Sequence, residues 1–161
     1  MRKNLLMVIS GLILFFVLFE SSFAYKNEPN GFRGIKWGTS IYSMTGFEYV
    51  KTEPSTGTEF YIKKNEDPTM GKAKLEAITY GFWQSKFCTI MISCRGLKNW
   101  TNLKDKVFNE FGQKEKSYQS TKNIEMYIWV GTVTDMLLRH DKISEQGIFM
   151  MVSKEIKQKQ K

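Results

Sequence analysis

The chain has 161 residues, of which 42% are apolar and 25% are charged, with 24 basic and 16 acidic side chains. This length favours a single domain, and the composition excludes long-range disorder and collagen-like repeats. Only one apolar run is long enough to be considered as a membrane segment, so a multi-pass membrane protein is excluded as well.

The first 24 residues have the pattern of a secretory signal peptide. Arg2 and Lys3 precede an apolar run over residues 5–19, and small residues stand at Ser22 and Ala24. The run is shorter than the ~18–20 residues that span hydrocarbon. We therefore expect cleavage after Ala24, a periplasmic or secreted location and no transmembrane span after processing. An uncleaved N-terminal anchor is the alternative.

The net charge of the chain bears on its partners. Loss of Arg2, Lys3 and Glu20 on cleavage changes the net charge from +8 to +7. A basic surface attracts anionic partners, so we expect either an envelope protein or an anionic component of the envelope. Export argues against nucleic acid as the partner. A basic surface that is merely solvated explains the same charge, and this alternative stays open.

The first half of the mature chain predicts a short helix followed by four strands. Thr39 or Ser40 can cap the helix, which would carry Ile41 and Met44. Period-2 patterns and turn residues predict strands over residues 47–51, 58–62, 74–83 and 86–94, with a polar loop over residues 63–72.

The strongest local signal is a hairpin across Gln84 and Ser85. A regular two-residue turn pairs Trp83 with Lys86 and continues without interruption along both strands. The predicted pairs are 83/86, 82/87, 80/89 and 78/91. One face then carries Ile78, Tyr80, Phe82, Phe87 and Met91, and the other carries Leu75, Ala77, Trp83, Cys88, Ile90, Ile92 and Cys94. Both faces are apolar, so we expect this hairpin in the middle of the sheet or covered on both sides.

The second half predicts one helix and three strands. Asn99 or Thr101 can cap a helix that ends at Phe111, with Gly112 after it. Two further strands would form a hairpin with a type II′ turn at residues 131–132, and residues 147–153 form the last strand. We predict one α+β domain over residues 25–153, an antiparallel sheet with two helices in the order αββββαβββ, and a basic, frayed tail over residues 154–161.

Residues 32–40, Phe-Arg-Gly-Ile-Lys-Trp-Gly-Thr-Ser, carry a resemblance to known proteins. The segment resembles the opening of a group of small, uncharacterised bacterial periplasmic or secreted proteins, which begin with Phe-x-Gly-Ile-x-Trp-Gly-Thr after a signal peptide. Residues 78–82, 103–112 and 127–129 are similar to later parts of the same group. The resemblance implies a bacterial cell-envelope protein of α+β fold, and it implies no activity.

The residues offer little for catalysis or metal binding. His140 is the only histidine, so a serine or cysteine mechanism would need it as the base, with Asp141 to orient it and Cys88 or Cys94 as a thiol nucleophile. The two thiols lie too far apart along one strand for an intrachain disulfide, so we read them as small buried residues. Intermolecular pairing or a reactive thiol is the alternative. We expect no cofactor and no metal site, because converging ligands are missing.

Aromatic and basic side chains supply the candidate binding residues. Trp37, Trp83, Lys86 and Arg33 combine ring surface with positive charge in segments rich in turns. Burial of the same aromatics in the core is the alternative. We predict an exported, non-catalytic binding module, with a small periplasmic hydrolase using His140 and a membrane-surface protein using the basic tail as alternatives.

Overall fold

The computed structural model describes residues 25–160. The predicted signal peptide lies outside the described residues. Within residues 25–160, neither helix is long and apolar enough to cross a membrane.

Eleven strands, two α-helices and one 3₁₀ turn form between residues 25 and 160. In chain order they are β1 (Gly31–Phe32), β2 (Ile35–Lys36), the 3₁₀ turn (Ile41–Ser43), β3 (Phe47–Glu53), β4 (Thr58–Lys63), β5 (Thr69–Met70), β6 (Ala73–Lys74), β7 (Ala77–Trp83), β8 (Lys86–Arg95), α1 (Leu97–Phe111), β9 (Ile124–Trp129), β10 (Thr134–Asp141), β11 (Gln146–Ser153) and α2 (Lys154–Lys159).

Seven of the strands form one antiparallel sheet in the spatial order β3-β4-β7-β8-β11-β10-β9. The hairpins β1–β2 and β5–β6 are separate two-stranded pairs. Because β8 is the middle strand, the prediction that the β7–β8 hairpin lies inside the sheet is confirmed.

Helix α1 packs on one face of this sheet. Its buried residues are Trp100, Leu103, Val107 and Phe111, three or four positions apart, so they form a single apolar stripe. The helix contacts β6, β8 and β11. Full burial of side chains of this size stabilises the fold by roughly 1.5–3 kcal/mol each, which makes the stripe the main reason for the position of α1.

Of the two ends of α1, only the C-terminal end is as the sequence predicted. Gly112 has φ 89° and its N–H bonds to Phe108, as expected of the residue after a helix. The predicted caps are wrong, because the helix begins at Leu97 after Gly96 and has no side-chain cap. Asn99 instead accepts a hydrogen bond from the Lys74 N–H at 3.1 Å, which ties the helix to β6.

The predicted class, α+β with an antiparallel sheet, is confirmed, but the predicted order αββββαβββ is wrong. The first helix is only the 3₁₀ turn, where Ser40 caps the Tyr42 N–H at 3.3 Å. The polar loop predicted over residues 63–72 contributes to the short β5–β6 hairpin, and a second helix follows the last strand.

The segment that we expected to be a frayed tail forms α2. The Ser153 hydroxyl caps the helix at the Ile156 N–H, and Ile156 is buried. Lys157 lies 3.7 Å from the carboxylate of Asp135 in β10. One apolar residue was too little to predict a helix from sequence, but together with a cap and an ion pair to β10 it anchors one.

A β-bulge changes the predicted pairing of β7 with β8. The two pairs next to the turn form as predicted, but beyond them Tyr80 pairs with Ile90 rather than with Thr89. Cys88 is the extra residue that has no partner in β7. Because side chains alternate between the faces of a strand, this one-residue shift places each later side chain of β8 on the face opposite to the one that regular pairing predicted.

The face assignment is therefore wrong for four residues of β8. Ile90, Ile92 and Cys94, which we assigned to the face opposite Tyr80, belong with it to the core under α1. Met91, which we assigned to the same face as Tyr80, lies outside that core and is buried on the other face.

Residues 25–40, which we call the lead-in, are tied to the connection between β9 and β10. The Tyr25 hydroxyl donates to the Thr134 carbonyl at 2.9 Å. The Glu28 carboxylate accepts the backbone N–H groups of Val133 at 2.6 Å and Thr134 at 2.8 Å. It also accepts the Thr132 hydroxyl at 2.8 Å.

This contact explains why the predicted type II′ turn is wrong. The last pair of the hairpin is Trp129 with Met136, so the connection is longer than two residues. Gly131 does not have the positive φ that the first central position of a type II′ turn requires. The N–H groups of Val133 and Thr134 bond to the Glu28 carboxylate instead, and nothing local in residues 130–135 indicates that partner.

Candidate functional site

Three of the four predicted binding residues line one cleft at the tip of the β7–β8 hairpin. Trp37, Trp83 and Lys86 meet there with Ile156 and Lys159 of α2. The cleft has a volume of about 130 Å³. We call it the tryptophan cleft.

The tight turn of the hairpin places two of these residues. Gln84 and Ser85 have φ 47° and 62°, and positive φ at both central residues is the mark of a type I′ turn. The turn sets Trp83 and Lys86 opposite each other as a pair. The two-residue connection was predicted from the sequence and is confirmed.

Backbone hydrogen bonds bring the lead-in to the same place. The Gly38 N–H donates to the Phe87 carbonyl at 2.8 Å, and the Phe87 N–H donates to the Thr39 carbonyl at 2.9 Å. Ser40 forms an isolated antiparallel bridge with Lys86. These contacts pair a short segment of the lead-in with the start of β8 and fix Trp37 beside the turn.

The two indole rings of the cleft are held differently. The Trp37 Nε1–H donates to the Thr134 hydroxyl at 2.7 Å, and its ring centroid lies 4.7 Å from that of Phe87. Trp83 is half-buried, and its indole N–H has no partner among the described residues. The ring of Trp37 is thus held in place, whereas the indole N–H of Trp83 remains available to donate a hydrogen bond.

The cleft carries an excess of one positive charge. Lys159 pairs with Glu155 at 2.6 Å, and this hydrogen bond, helped by the charge of Lys86, holds the pKa of Glu155 below its usual value. Lys86 is exposed and makes no salt bridge within residues 25–160. A group that enters the cleft therefore meets one cation that no carboxylate contacts directly.

Arg33, the fourth predicted residue, lies in another part of the fold. Its guanidinium donates to Glu66 at 2.9 Å, to the Asp67 carbonyl at 2.8 Å and to the Thr69 carbonyl. The same Glu66 oxygen also accepts the hydroxyl of Tyr80. Arg33 thus joins the β1–β2 turn to the segment before β5.

His140 lies in the core beneath α1. It is 4% exposed, and its ring is stacked on Trp100 at 4.8 Å with an angle of 10°. Burial holds its pKa below the ordinary value, although nearby carboxylates act in the opposite direction. Its Nε2 is buried without a hydrogen-bond partner. Asp141, the candidate orienting carboxylate, accepts the Ile143 N–H at 2.9 Å within its own turn.

Both cysteines are free and buried. Burial raises the pKa of Cys88 to about 12 and that of Cys94 to about 11. Thiols in this range are almost fully protonated near neutral pH, and the thiolate is the nucleophilic form. Among residues 25–160, no group of three or more His, Cys, Asp or Glu side chains is arranged to hold a metal ion.

Sequence reasoning missed a tyrosine-rich edge of the sheet. Tyr42 and Tyr49 are 86% and 58% exposed, and Tyr49 meets Tyr61 edge-to-face with ring centroids 5.7 Å apart. Tyr49 lies in the edge strand β3, where Val50 is also exposed, and Tyr61 lies in the neighbouring strand β4. No motif in the sequence indicates this cluster, because Tyr42 arrives from the 3₁₀ turn.

The two edges of the sheet differ in how their backbone groups are used. On the outer side of β9, the Ser117 N–H donates to the Met126 carbonyl and the Thr121 N–H to the Ile124 carbonyl, both at 2.8 Å. Within the described residues, no comparable segment covers the outer side of β3. The β3 edge is thus the open one.

Comparisons of this chain with protein-family models, with curated proteins and with solved structures find no match.

Proposed function

We propose that this chain is an exported bacterial envelope protein that acts as a non-catalytic binding module through the tryptophan cleft. The observation that carries the proposal is the convergence of Trp37, Trp83 and Lys86 on one cleft from segments far apart in the sequence. The signal-peptide pattern of residues 1–24 supports export.

The size of the cleft favours a macromolecular partner. Sites for small molecules have volumes of roughly 300–1,000 Å³, whereas this cleft has about 130 Å³. That volume fits one side chain or one sugar substituent of a larger partner. Interfaces obtain much of their binding energy from single groups that enter such aromatic pockets.

The charge of the cleft favours an anionic group on that partner. Lys86 supplies a cation, and Trp83, its partner across the hairpin, carries an indole N–H that can donate a hydrogen bond. A carboxylate could accept from both while it packs against the ring of Trp37. The partner is therefore an envelope protein or polymer with exposed acidic groups.

The placement of His140 gives the hydrolase alternative little support. A general base must reach the proton that it removes, and the imidazole is covered by Trp100. The tail alternative has little support as well, because α2 packs against the domain through Ile156 and Lys157.

Affinity capture from an envelope extract of the source organism tests the proposal, with residues 25–161 as bait and elution at low and high salt. Salt at 1 M shortens the screening length to about 3 Å, so a partner kept at high salt is held by close contacts. We expect such a partner, and we expect its loss with Trp83→Ala.

Lys86→Glu and Lys98→Glu form a matched pair for the same capture. Both change the charge of an exposed lysine, but only Lys86 lines the cleft. Equal loss of the partner with the two variants would show that overall charge is sufficient for binding, and it would refute the proposal that the partner binds in the tryptophan cleft. Capture of nothing from the extract at either salt would refute a stable partner.

A separate measurement tests export. N-terminal sequencing of the protein recovered from the periplasmic or secreted fraction is expected to begin at Tyr25. Recovery only in the cytoplasmic fraction would contradict export without bearing on the cleft.

A further inference from the structure

A second and larger cavity lies between the lead-in, the β5–β6 hairpin and the C-terminal half of α1. Its volume is about 510 Å³, which lies within the roughly 300–1,000 Å³ of sites for small molecules. We call it the lead-in pocket. It shares no lining residue with the tryptophan cleft.

The inner wall of the lead-in pocket is apolar. Met151 of β11 is 2% exposed, Phe111 of α1 is 6% exposed and Met70 of β5 is 9% exposed. Phe32 adds a ring from the lead-in. Methionine side chains are flexible and polarizable, so such a wall adapts to apolar groups of different shape.

Arg33 brings unused hydrogen-bond donors to this pocket. A guanidinium has five N–H groups, and the bonds to Glu66, Asp67 and Thr69 use three of them. The other two have no partner among the described residues. A planar guanidinium with two free N–H groups suits the two oxygens of a carboxylate or phosphate.

The backbone at Arg33 is unusual for an arginine. Arg33 and Gly34 form the turn between β1 and β2 with φ 47° and 80°. Asn-Gly is the favoured pair in such a turn, and the left-handed conformation is unfavourable for most other residues. An asparagine there would make a more stable turn, so the arginine is better explained by what its side chain does.

Lys106 is the second cation of the lead-in pocket. It pairs with Glu110 four residues later on α1, and both side chains are about two-fifths exposed. Exposed pairs of this kind contribute little to stability. The ammonium of Lys106 can therefore turn to a bound anion at little cost.

We propose that the lead-in pocket binds a small amphiphile with an anionic head group. Its apolar body packs against Phe111 and Met151, and its carboxylate or phosphate accepts hydrogen bonds from Arg33 and Lys106. The proposal goes beyond the envelope-binding function and does not depend on it.

Titration of residues 25–161 with 11-(dansylamino)undecanoic acid tests the proposal, because dansyl fluorescence rises in an apolar site. We expect saturable binding that Lys106→Gln and Arg33→Asn each weaken at least fivefold. Arg33→Asn retains a residue that suits the turn, and Lys106→Gln retains a good helix former. Lys98→Gln, at the other end of α1, is the matched control and should bind as the wild type does.

A neutral probe and two competitors define the head group. The dansyl amide of decylamine lacks the carboxylate and should bind at least tenfold more weakly. Displacement of the acidic probe by dodecanoate would identify a carboxylate ligand, and displacement by dodecyl phosphate as well would extend the site to phosphate. Equal affinity for the neutral probe would refute the role of the cations.

Methyl NMR of methionine-labelled protein localises the bound probe. The signals of Met70 and Met151 should shift on addition of the acidic probe, whereas that of Met91, on the other face of the sheet, should not. Absence of saturable binding by the wild type, an unchanged Met151 signal, or equal weakening by Lys98→Gln would overturn the proposal.

Discussion

Glu28→Ala removes the carboxylate that holds the connection between β9 and β10. The carboxylate accepts the N–H groups of Val133 and Thr134 at 2.6 and 2.8 Å, and the Thr132 hydroxyl at 2.8 Å. Hydrogen bonds to charged groups contribute about 1.5–3 kcal/mol. Water can replace part of this at Val133, which is 43% exposed. We expect the free energy of unfolding to fall by about 2 kcal/mol.

The loss depends on pH in a defined direction. Partial burial raises the pKa of Glu28, but the hydrogen bonds from Thr134, Val133 and Thr132 outweigh it and hold the pKa below its ordinary value. The unfolded chain therefore takes up a proton at a higher pH than the folded chain. The stabilisation by Glu28 is present above the unfolded pKa and is lost as pH falls through the folded pKa.

Urea unfolding followed by tryptophan fluorescence measures both effects. Glu28→Ala should unfold at lower urea than the wild type at pH 7, and the difference should shrink towards pH 3. Glu115→Ala, which removes an exposed carboxylate, is the control. The reasoning is refuted if Glu28→Ala behaves like that control at pH 7, or if its effect is as large at pH 3.

Three further predictions rest on other parts of the core. Burial lowers the pKa of His140, so the unfolded chain alone takes up its proton below about pH 6.5. The urea concentration at half-unfolding should fall when the pH is lowered from 7.5 to 5.5, and it should fall less in His140→Gln than in the wild type. An equal fall in the two proteins would contradict this. Gly81→Ala places a methyl group against Thr89, and 3.0 Å from Phe60, and should cost about 1–3 kcal/mol by overpacking; an unchanged midpoint would argue against that contact. Cys88 and Cys94 should react with a disulfide reagent only after denaturation, and rapid labelling of the native protein would show that they are accessible.

Local periodicity was enough to predict the elements that depend on nearby residues. The α1 stripe, its end at Gly112 and the turn at Gln84–Ser85 all follow from side chains within a few positions of one another. The caps Asn99 and Thr101 were wrong because Asn99 is used to hold Lys74 of β6, a contact made only by folding.

The sequence contains a pattern that indicates the bulge at Cys88, but the prediction of regular pairing did not take it into account. Large apolar residues stand at Phe87 and then at Ile90 and Ile92, so the alternation changes phase between them. An uninterrupted strand would place Thr89 and Met91 on the face of Phe87 under α1, whereas one extra residue brings Ile90 and Ile92 to the core there. Burial of the aliphatic side chains therefore favours the bulged pairing over the regular one.

The lead-in links both candidate sites to the stability of the domain. It supplies Trp37 to the tryptophan cleft and Arg33 to the lead-in pocket, and Glu28 clamps its start. The sequence indicated Trp37, Trp83 and Lys86 of the tryptophan cleft, but not that they lie together. In the lead-in pocket, Lys106 and Met151 come from distant parts of the chain, so no local pattern could reveal that site.

Loosening of the lead-in should therefore be visible before the sheet unfolds. Regions of low stability open separately from the core and exchange their amide hydrogens sooner. In Glu28→Ala, we expect faster exchange of the Phe87 N–H, which bonds to the Thr39 carbonyl at 2.9 Å, relative to the N–H of Ile92 in the middle of β8. Equal acceleration of both amides would mean that Glu28 supports only the global fold, and the lead-in would then have no separate role in holding the two sites.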